Sequence, residues 1–200
     1  ILVVTAIILL VTGEGEVLYF QNRIGRKGLE FKVFKFATML KNSEKLGTGI
    51  YTSEGDNRIL PIGSFLRKSK INELPQLFNV LFGQMSIVGP RPLIKETFDF
   101  YNDDIKSKLA NLRPGITGIG SIVFRDESSL LQKTGDLSLE EFYRIKIAPY
   151  KGRLEEWYWG NQNIITYITI IILTVWVIIS PKSRLVFRIY PDLPQSQFLR

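Results

Sequence analysis

The residues best suited to chemistry lie between positions 58 and 92, in RILPIGSFLRKSKINELPQLFNVLFGQMSIVGPRP. Leu74, Leu77, Phe78 and Leu81 recur at the spacing of one helix face, and Gly83 is placed to stop the helix. Asn72 is a fitting N-cap and Pro75 suits a first turn, so the spacing predicts a helix that opens at Asn72 and Glu73. Such an end carries free amides and partial positive charge, and Arg67, Lys68 and Lys70 directly precede it. A phosphate or a developing negative charge would be stabilised there. The plainer reading is an Asn that caps and a Glu that complements the helix dipole.

Pro90-Arg91-Pro92 follows an expected short strand, Ser86–Val88, and a glycine. Proline on both sides restrains the backbone and presents the Arg91 guanidinium with little freedom, either as a diphosphate clamp or as a plain turn. Arg113-Pro114-Gly115 repeats the theme, and Arg125, Asp126 and Glu127 follow a second expected short strand. The chain has no histidine and no cysteine, which removes Ser–His triads, imidazole bases, cysteine nucleophiles, disulfides and thiolate zinc sites. Gly118 and Gly120 lack the third glycine of a dinucleotide fingerprint, and there is no Walker motif. Chemistry falls to carboxylates, Lys, Arg, Tyr and backbone amides.

These residues need a scaffold. Glu16–Phe20 and Phe31–Phe36 have the apolar and aromatic density of strands, with NRIGRKG between them as a turn, so a hairpin is expected. Residues 41–57 read as a long loop of the kind that carries function. Residues 1–12, ILVVTAIILLVT, are uncharged, but about 18 Å of helix cannot cross a hydrocarbon core of roughly 30 Å. With no methionine before it, that run is expected to belong to a longer apolar segment. Residues 164–179 are uncharged for 16 positions, preceded by Trp157, Tyr158 and Trp159 and followed by Lys182 and Arg184, the edging of a membrane interface. The net charge of +7 suits a phosphorylated ligand, nucleic acid or an anionic membrane. The basic residues are broken up by Pro and Gly turns rather than massed on one helix, which argues against nucleic acid.

Three segments in order, FQNRIGRKGLEFKVFKFATM, IGSFLRKSKINELPQLFNVLFGQMSIVGPRPL and LRPGITGIGSIVFRDE, resemble the bacterial sugar transferase domain, the monotopic polyprenyl-phosphate phosphoglycosyl transferases. The resemblance covers residues 1 to 160. It implies an α/β (α+β) fold: a small mixed globular domain with a re-entrant N-terminal membrane helix and interfacial amphipathic helices. The expected division is 1–12 as the outgoing half of the re-entrant helix, 13–160 as the catalytic domain, and 161–200 as a membrane-associated helix and tail. The implied reaction moves a phosphosugar from a UDP-sugar to undecaprenyl phosphate and releases UMP, as the first membrane step of surface glycan synthesis. Magnesium is the implied cofactor, with Glu73 as its ligand. Glu73 and Asn72 are the expected catalytic pair, and Lys35, Arg67, Pro90, Arg91, Pro92 and Arg113 the substrate-binding set. The resemblance further implies contact with membrane lipids at the bacterial inner membrane, the catalytic domain on the cytoplasmic face, no nucleic-acid partner, and a homodimer as an allowed assembly.

The sequence also departs from the family pattern. The best-known branch has Asp-Glu where this chain has Asn72-Glu73, and there the aspartate is the nucleophile that carries the phosphosugar; an asparagine cannot do this. Ala37 and Gln84 stand where Arg and an acidic residue are common. Three readings follow: Glu73 as nucleophile, direct attack by the lipid phosphate assisted by Glu73 and metal, or a catalytically silent nucleotide-sugar binder.

Overall fold

The computed structural model describes residues 1–47, 49, 52, 55–125 and 137–196. The expected hairpin forms from β1 (Leu18–Ile24) and β2 (Glu30–Phe36), paired antiparallel from Leu18 opposite Phe36 to Ile24 opposite Glu30. The first strand begins and ends later than its apolar density suggests. Gln21, Asn22 and Arg23 belong to it, and the reversal is confined to residues around Lys27 and Gly28, both at positive φ. Gln21 and Arg23 are polar because their face of the hairpin turns toward the charged site. Tyr19 and Lys35 are opposite each other on that face, and Arg23 lies on it four residues along from Tyr19. On the other face Phe20, Phe34 and Phe82 form an edge-to-face series, with ring centroids 5.2 and 6.3 Å apart.

Helix α1 (Leu2–Thr12) seats Leu9 in a small core with Phe36 and Leu66, the last from α2 (Pro61–Lys68). Val3, Val4, Ile7, Leu10 and Val11 remain exposed on its other side. The described part of the 41–57 loop is gathered by one buried arginine. Arg58 pairs with Asp56 and donates to the carbonyls of Ser43, Leu46 and Gly49 at 2.8, 2.8 and 2.6 Å.

After α2, a single tight turn over Ile71–Glu73 leads into α3 (Gln76–Leu81). This corrects the expected helix start: Asn72 caps nothing, and Pro75 occupies the N-cap position. Lys70, with φ 61, turns the chain sharply enough that Asn72 and Glu73 are folded inward before α3 begins. The expected core face is also inverted. Leu77, Phe78 and Leu81 are exposed, while Gln76 and Asn79 are buried. Asn79 acts as a strand-edge partner: its Oδ1 accepts from Phe34 N at 3.0 Å, and its Nδ2 donates to Lys32 O and Gln84 Oε1, both at 2.8 Å.

Strand β3 (Ser86–Val88) pairs in parallel with β4 (Gly115–Thr117). The crossover that a parallel pair requires contains α4 (Lys95–Phe98) and α5 (Asp103–Asn111). The second strand expected just before Arg125 is instead helix α6 (Ile119–Val123), because the strand residues end at Thr117. Asp126 and Glu127 lie outside the described residues. Helices α7 (Leu139–Phe142) and α8 (Ala148–Gly160), joined through one wide turn over Tyr143–Ile147, then cover the crossover. Helix α9 (Ile164–Ile179) follows, and α10 (Leu185–Ile189) closes the chain's helical part.

Ile170, Leu173 and Val177 of α9 enter the main core beside Leu154 and Ile119, and the Thr174 and Thr117 hydroxyls lie 2.7 Å apart. Its outer side exposes Ile164, Ile165, Ile168, Ile172, Val175 and Ile179. The 16 uncharged residues thus form a helix packed on the domain along one side and apolar on the other. Among the described residues no helix is long and apolar enough to cross a membrane.

Candidate active site

The Pro90-Arg91-Pro92 segment is locked by its own carbonyls. Pro90 O accepts from Gly115 N at 2.9 Å, and Pro92 O accepts from Arg23 Nη1 at 3.0 Å. Gly89 and Gly115 bring the two backbones so close that a Cβ on Gly89 would meet Arg113 O at 2.5 Å, and one on Gly115 would meet Gly89 N at 2.1 Å. Only glycine allows this approach. Both prolines are buried, and Arg91 is left as the side chain the turn projects.

Arg91 reaches Glu73, with Nη2 to Oε1 at 2.8 Å and Nη1 to Oε2 at 3.5 Å. Glu73 is 8% exposed. Burial alone would raise its pKa, but Arg91, Lys70 and Lys35 together hold it well below the usual carboxylate range. It is therefore ionised at any physiological pH, through these cations rather than through a helix end.

The same carboxylate is felt by Arg23 and Arg67. Burial, then the neighbouring Arg91, lowers Arg23 to about 10. Burial and the surrounding arginines push Lys35 well below its ordinary value, and Lys70 falls to about 8 for the same reasons, with Arg125 among its neighbours. Arg125 also donates to Lys68 O, which ties the segment after α6 to the end of α2. Five cations from four parts of the chain thus surround one carboxylate. Glu73 offsets only part of this positive charge, and the excess suits an anionic ligand.

The structure brings together Lys35, Arg67, Asn72, Glu73, Pro90, Arg91 and Pro92 of the expected set. It separates Arg113, which is exposed, borders a different cavity, and is absent from the groups that act on Glu73. Sequence reasoning missed Arg23, and it named Lys70 only as a basic residue preceding Asn72 and Glu73, outside the substrate-binding set. Arg23 could have been found from strand alternation, since it shares a face with Tyr19 and Lys35; Lys70 depends on a positive-φ turn that sequence spacing does not announce.

A buried arginine-and-lysine cluster around one ionised carboxylate, with a proline-fixed guanidinium at its edge, defines a phosphate-handling protein. The bacterial sugar transferase profile matches residues 1–181, and this chain belongs to that family. It is 37% identical over 125 residues to a UDP-N-acetylgalactosamine-undecaprenyl-phosphate N-acetylgalactosaminephosphotransferase of Aeromonas hydrophila, covering 62% of this chain and 29% of that one. A UDP-glucose:undecaprenyl-phosphate glucose-1-phosphate transferase of Klebsiella pneumoniae is 40% identical over 138 residues, 66% of this chain and 29% of that one. The galactosyl transferase CpsE of Streptococcus agalactiae is 34% identical over 175 residues, 82% and 35%. The chain spans about a third of the length of these relatives.

Proposed function

We propose that the chain is the catalytic part of a phosphoglycosyl transferase that moves a phosphosugar from a UDP-sugar to undecaprenyl phosphate and releases UMP. The observation that carries this reading is the cluster of Arg23, Lys35, Arg67, Lys70 and Arg91 around Glu73, which suits a diphosphate and a second phosphate brought face to face. The names of the relatives support the donor and acceptor classes. In the direct form of the reaction, an oxygen of the lipid phosphate forms a bond to the sugar-bearing phosphorus while the bond to the bridging oxygen breaks, and UMP leaves with that oxygen. In the two-step form, a Glu73 carboxylate oxygen bonds to the sugar-bearing phosphorus as the bond to the bridging oxygen breaks and UMP leaves, and an oxygen of the lipid phosphate then bonds to that phosphorus and releases the carboxylate. Either way the cations hold the charge that builds on the phosphoryl oxygens. A carboxylate kept ionised by its neighbouring cations is available as nucleophile or anchor, and the lipid phosphate, itself an anion, needs no general base to attack.

Asn72 Oδ1 is buried and has no hydrogen-bond partner. With Glu73 it offers two oxygen donors next to a diphosphate site, which fits magnesium held partly by protein and partly by substrate phosphates. Among the described residues no group of three acidic side chains could hold a metal unaided. When bound, the ion would neutralise diphosphate charge. The exposed apolar residues of α1, α3 and α9 support residence on the bacterial inner membrane, with the cation cluster on the cytoplasmic side, where UDP-sugars are found. Residues 1–12 suit the outgoing half of a re-entrant helix, 13–160 the catalytic domain, and 161–200 the membrane-associated remainder.

The test is UMP release from a panel of UDP-sugars with undecaprenyl phosphate and magnesium. Release that depends on both substrates is expected. Binding of UDP-sugar without any release would instead favour the silent binder, the reading raised by an amide at position 72.

A further inference from the structure

A cavity of about 410 Å³ opens beside the β3–β4 pair, away from the cation cluster. Ser86 and Val88 of β3, Arg113, Tyr158 near the end of α8, and Ile164 and Tyr167 at the start of α9 bound it. No residue that acts on Glu73 takes part. Arg113 is the only charged residue among those lining the cavity. Among the described residues its guanidinium has no ion pair or hydrogen bond, and no carboxylate borders the cavity to compensate it. A fork of donors over such a space is suited to an oxyanion.

Apart from the Ser86, Tyr158 and Tyr167 hydroxyls and two amides, the rest of the lining is ring and aliphatic surface. The two amides at the rim are already engaged, Gln162 Nε2 with Trp159 O at 3.1 Å and Asn163 Nδ2 with Asn161 O at 3.2 Å. The Tyr158 and Tyr167 hydroxyls remain as donors that can join Arg113 on one oxyanion. Ile164 is both a wall of the cavity and the first residue of the apolar face of α9. It is 73% exposed and is followed on that face by Ile165, Ile168 and Ile172. The chemistry that matches is an anionic head joined to a hydrocarbon body.

We propose that this cavity seats the phosphate of a membrane lipid, held by Arg113, with the lipid's chain lying along the exposed side of α9. The proposal rests on the membrane residence argued above but not on catalysis. It makes Arg113 a lipid-anchoring residue outside the reaction site. A phospholipid headgroup and a polyprenyl phosphate share the recognised chemistry, and vesicle composition separates them.

The experiment measures binding of the full chain to vesicles of phosphatidylcholine alone, with phosphatidylglycerol, and with undecaprenyl phosphate. Parent, Arg113→Ala, Arg113→Lys and the control Lys182→Ala are compared, each with and without UMP. Expected is a loss of roughly tenfold for Arg113→Ala on vesicles carrying phosphatidylglycerol or undecaprenyl phosphate, a smaller loss on phosphatidylcholine alone, whose phosphate is offset by its choline cation, partial recovery in Arg113→Lys, and a much smaller loss for Lys182→Ala. A loss confined to one lipid identifies the occupant as that lipid. Equal losses for Arg113→Ala and Lys182→Ala would reduce the effect to general surface attraction, and an unchanged Arg113→Ala or competition by UMP would overturn the site. Failure of the parent to bind any vesicle would defeat the membrane reading itself, together with this proposal.

Discussion

At position 72 the chain has a neutral amide where the reaction's best-known version needs a carboxylate, while Glu73 beside it is ionised and gripped by Arg91. Glu73→Gln is expected to lose activity by orders of magnitude, whereas Asn72→Ala loses much less. Intact mass after mixing with UDP-sugar alone, followed by peptide mapping, should find nothing on residue 72. An adduct on Glu73 marks it as nucleophile, steady turnover without an adduct marks direct attack, and a fully active Glu73→Gln would remove Glu73 from the mechanism. The lysines give a second expectation. Lys70 titrates at about 8 because burial and neighbouring arginines disfavour its charge, and an arriving diphosphate reverses that balance. Binding therefore takes up a proton near pH 8, and affinity for the UDP-sugar falls as pH rises through that value. Calorimetry in two buffers of different ionisation enthalpy would show no buffer dependence if the lysine stayed fully charged in the free protein.

Helix α3 shows what could and could not be read at the level of elements. Its existence was legible from Leu74, Leu77, Phe78 and Leu81, and its end from Gly83, which has φ 73. Its orientation was not legible, because an apolar stripe normally points into a core and here the core contact is made by polar side chains. Asn79 holds the helix to the edge of β2 with two hydrogen bonds and makes a third to Gln84, leaving Leu81 at 78% exposure. Asn79→Ala should cost roughly 1–3 kcal/mol in urea unfolding, since it orphans a buried amide and carbonyl. Leu81→Ser should leave the urea midpoint nearly unchanged while weakening binding to neutral vesicles. A large stability loss from Leu81→Ser would mean that the stripe faces protein after all. The fixed turn at Pro90-Arg91-Pro92 was legible because proline restrains a backbone locally. The membership of Arg23 and the exclusion of Arg113 were decided by hairpin register and by the β3–β4 pairing, which are long-range facts.

Across the whole molecule, charge is handled in two ways: the cation cluster lies at the junction of the hairpin with α2 and the proline turn, whereas a second charged pair is sealed inside the helical core. Glu155 and Lys151 lie one turn apart on the buried side of α8. Lys151 Nζ donates to the Tyr143 hydroxyl at 3.3 Å and sits 5.0 Å from the centroid of the Phe124 ring. Glu155 presses against α6, where a Cβ on Gly120 would meet its Oε1 at 2.5 Å, and its Oε2 has no hydrogen-bond partner. Burial pushes this carboxyl up to about 7, against the pull of Lys151. An unfolded chain releases the Glu155 proton near its ordinary value of 4.5, whereas the folded protein keeps it to about 7. The unfolded state thus binds fewer protons in that interval, so stability falls as pH rises from 4.5 to 7 and then levels off. Glu155→Gln removes the proton release while nearly preserving shape. Its urea unfolding free energy should match the parent's near pH 4.5 and exceed it by about 3 kcal/mol at pH 8. Parallel curves for the two proteins from pH 5 to 8 would show that Glu155 is ionised and compensated in the core.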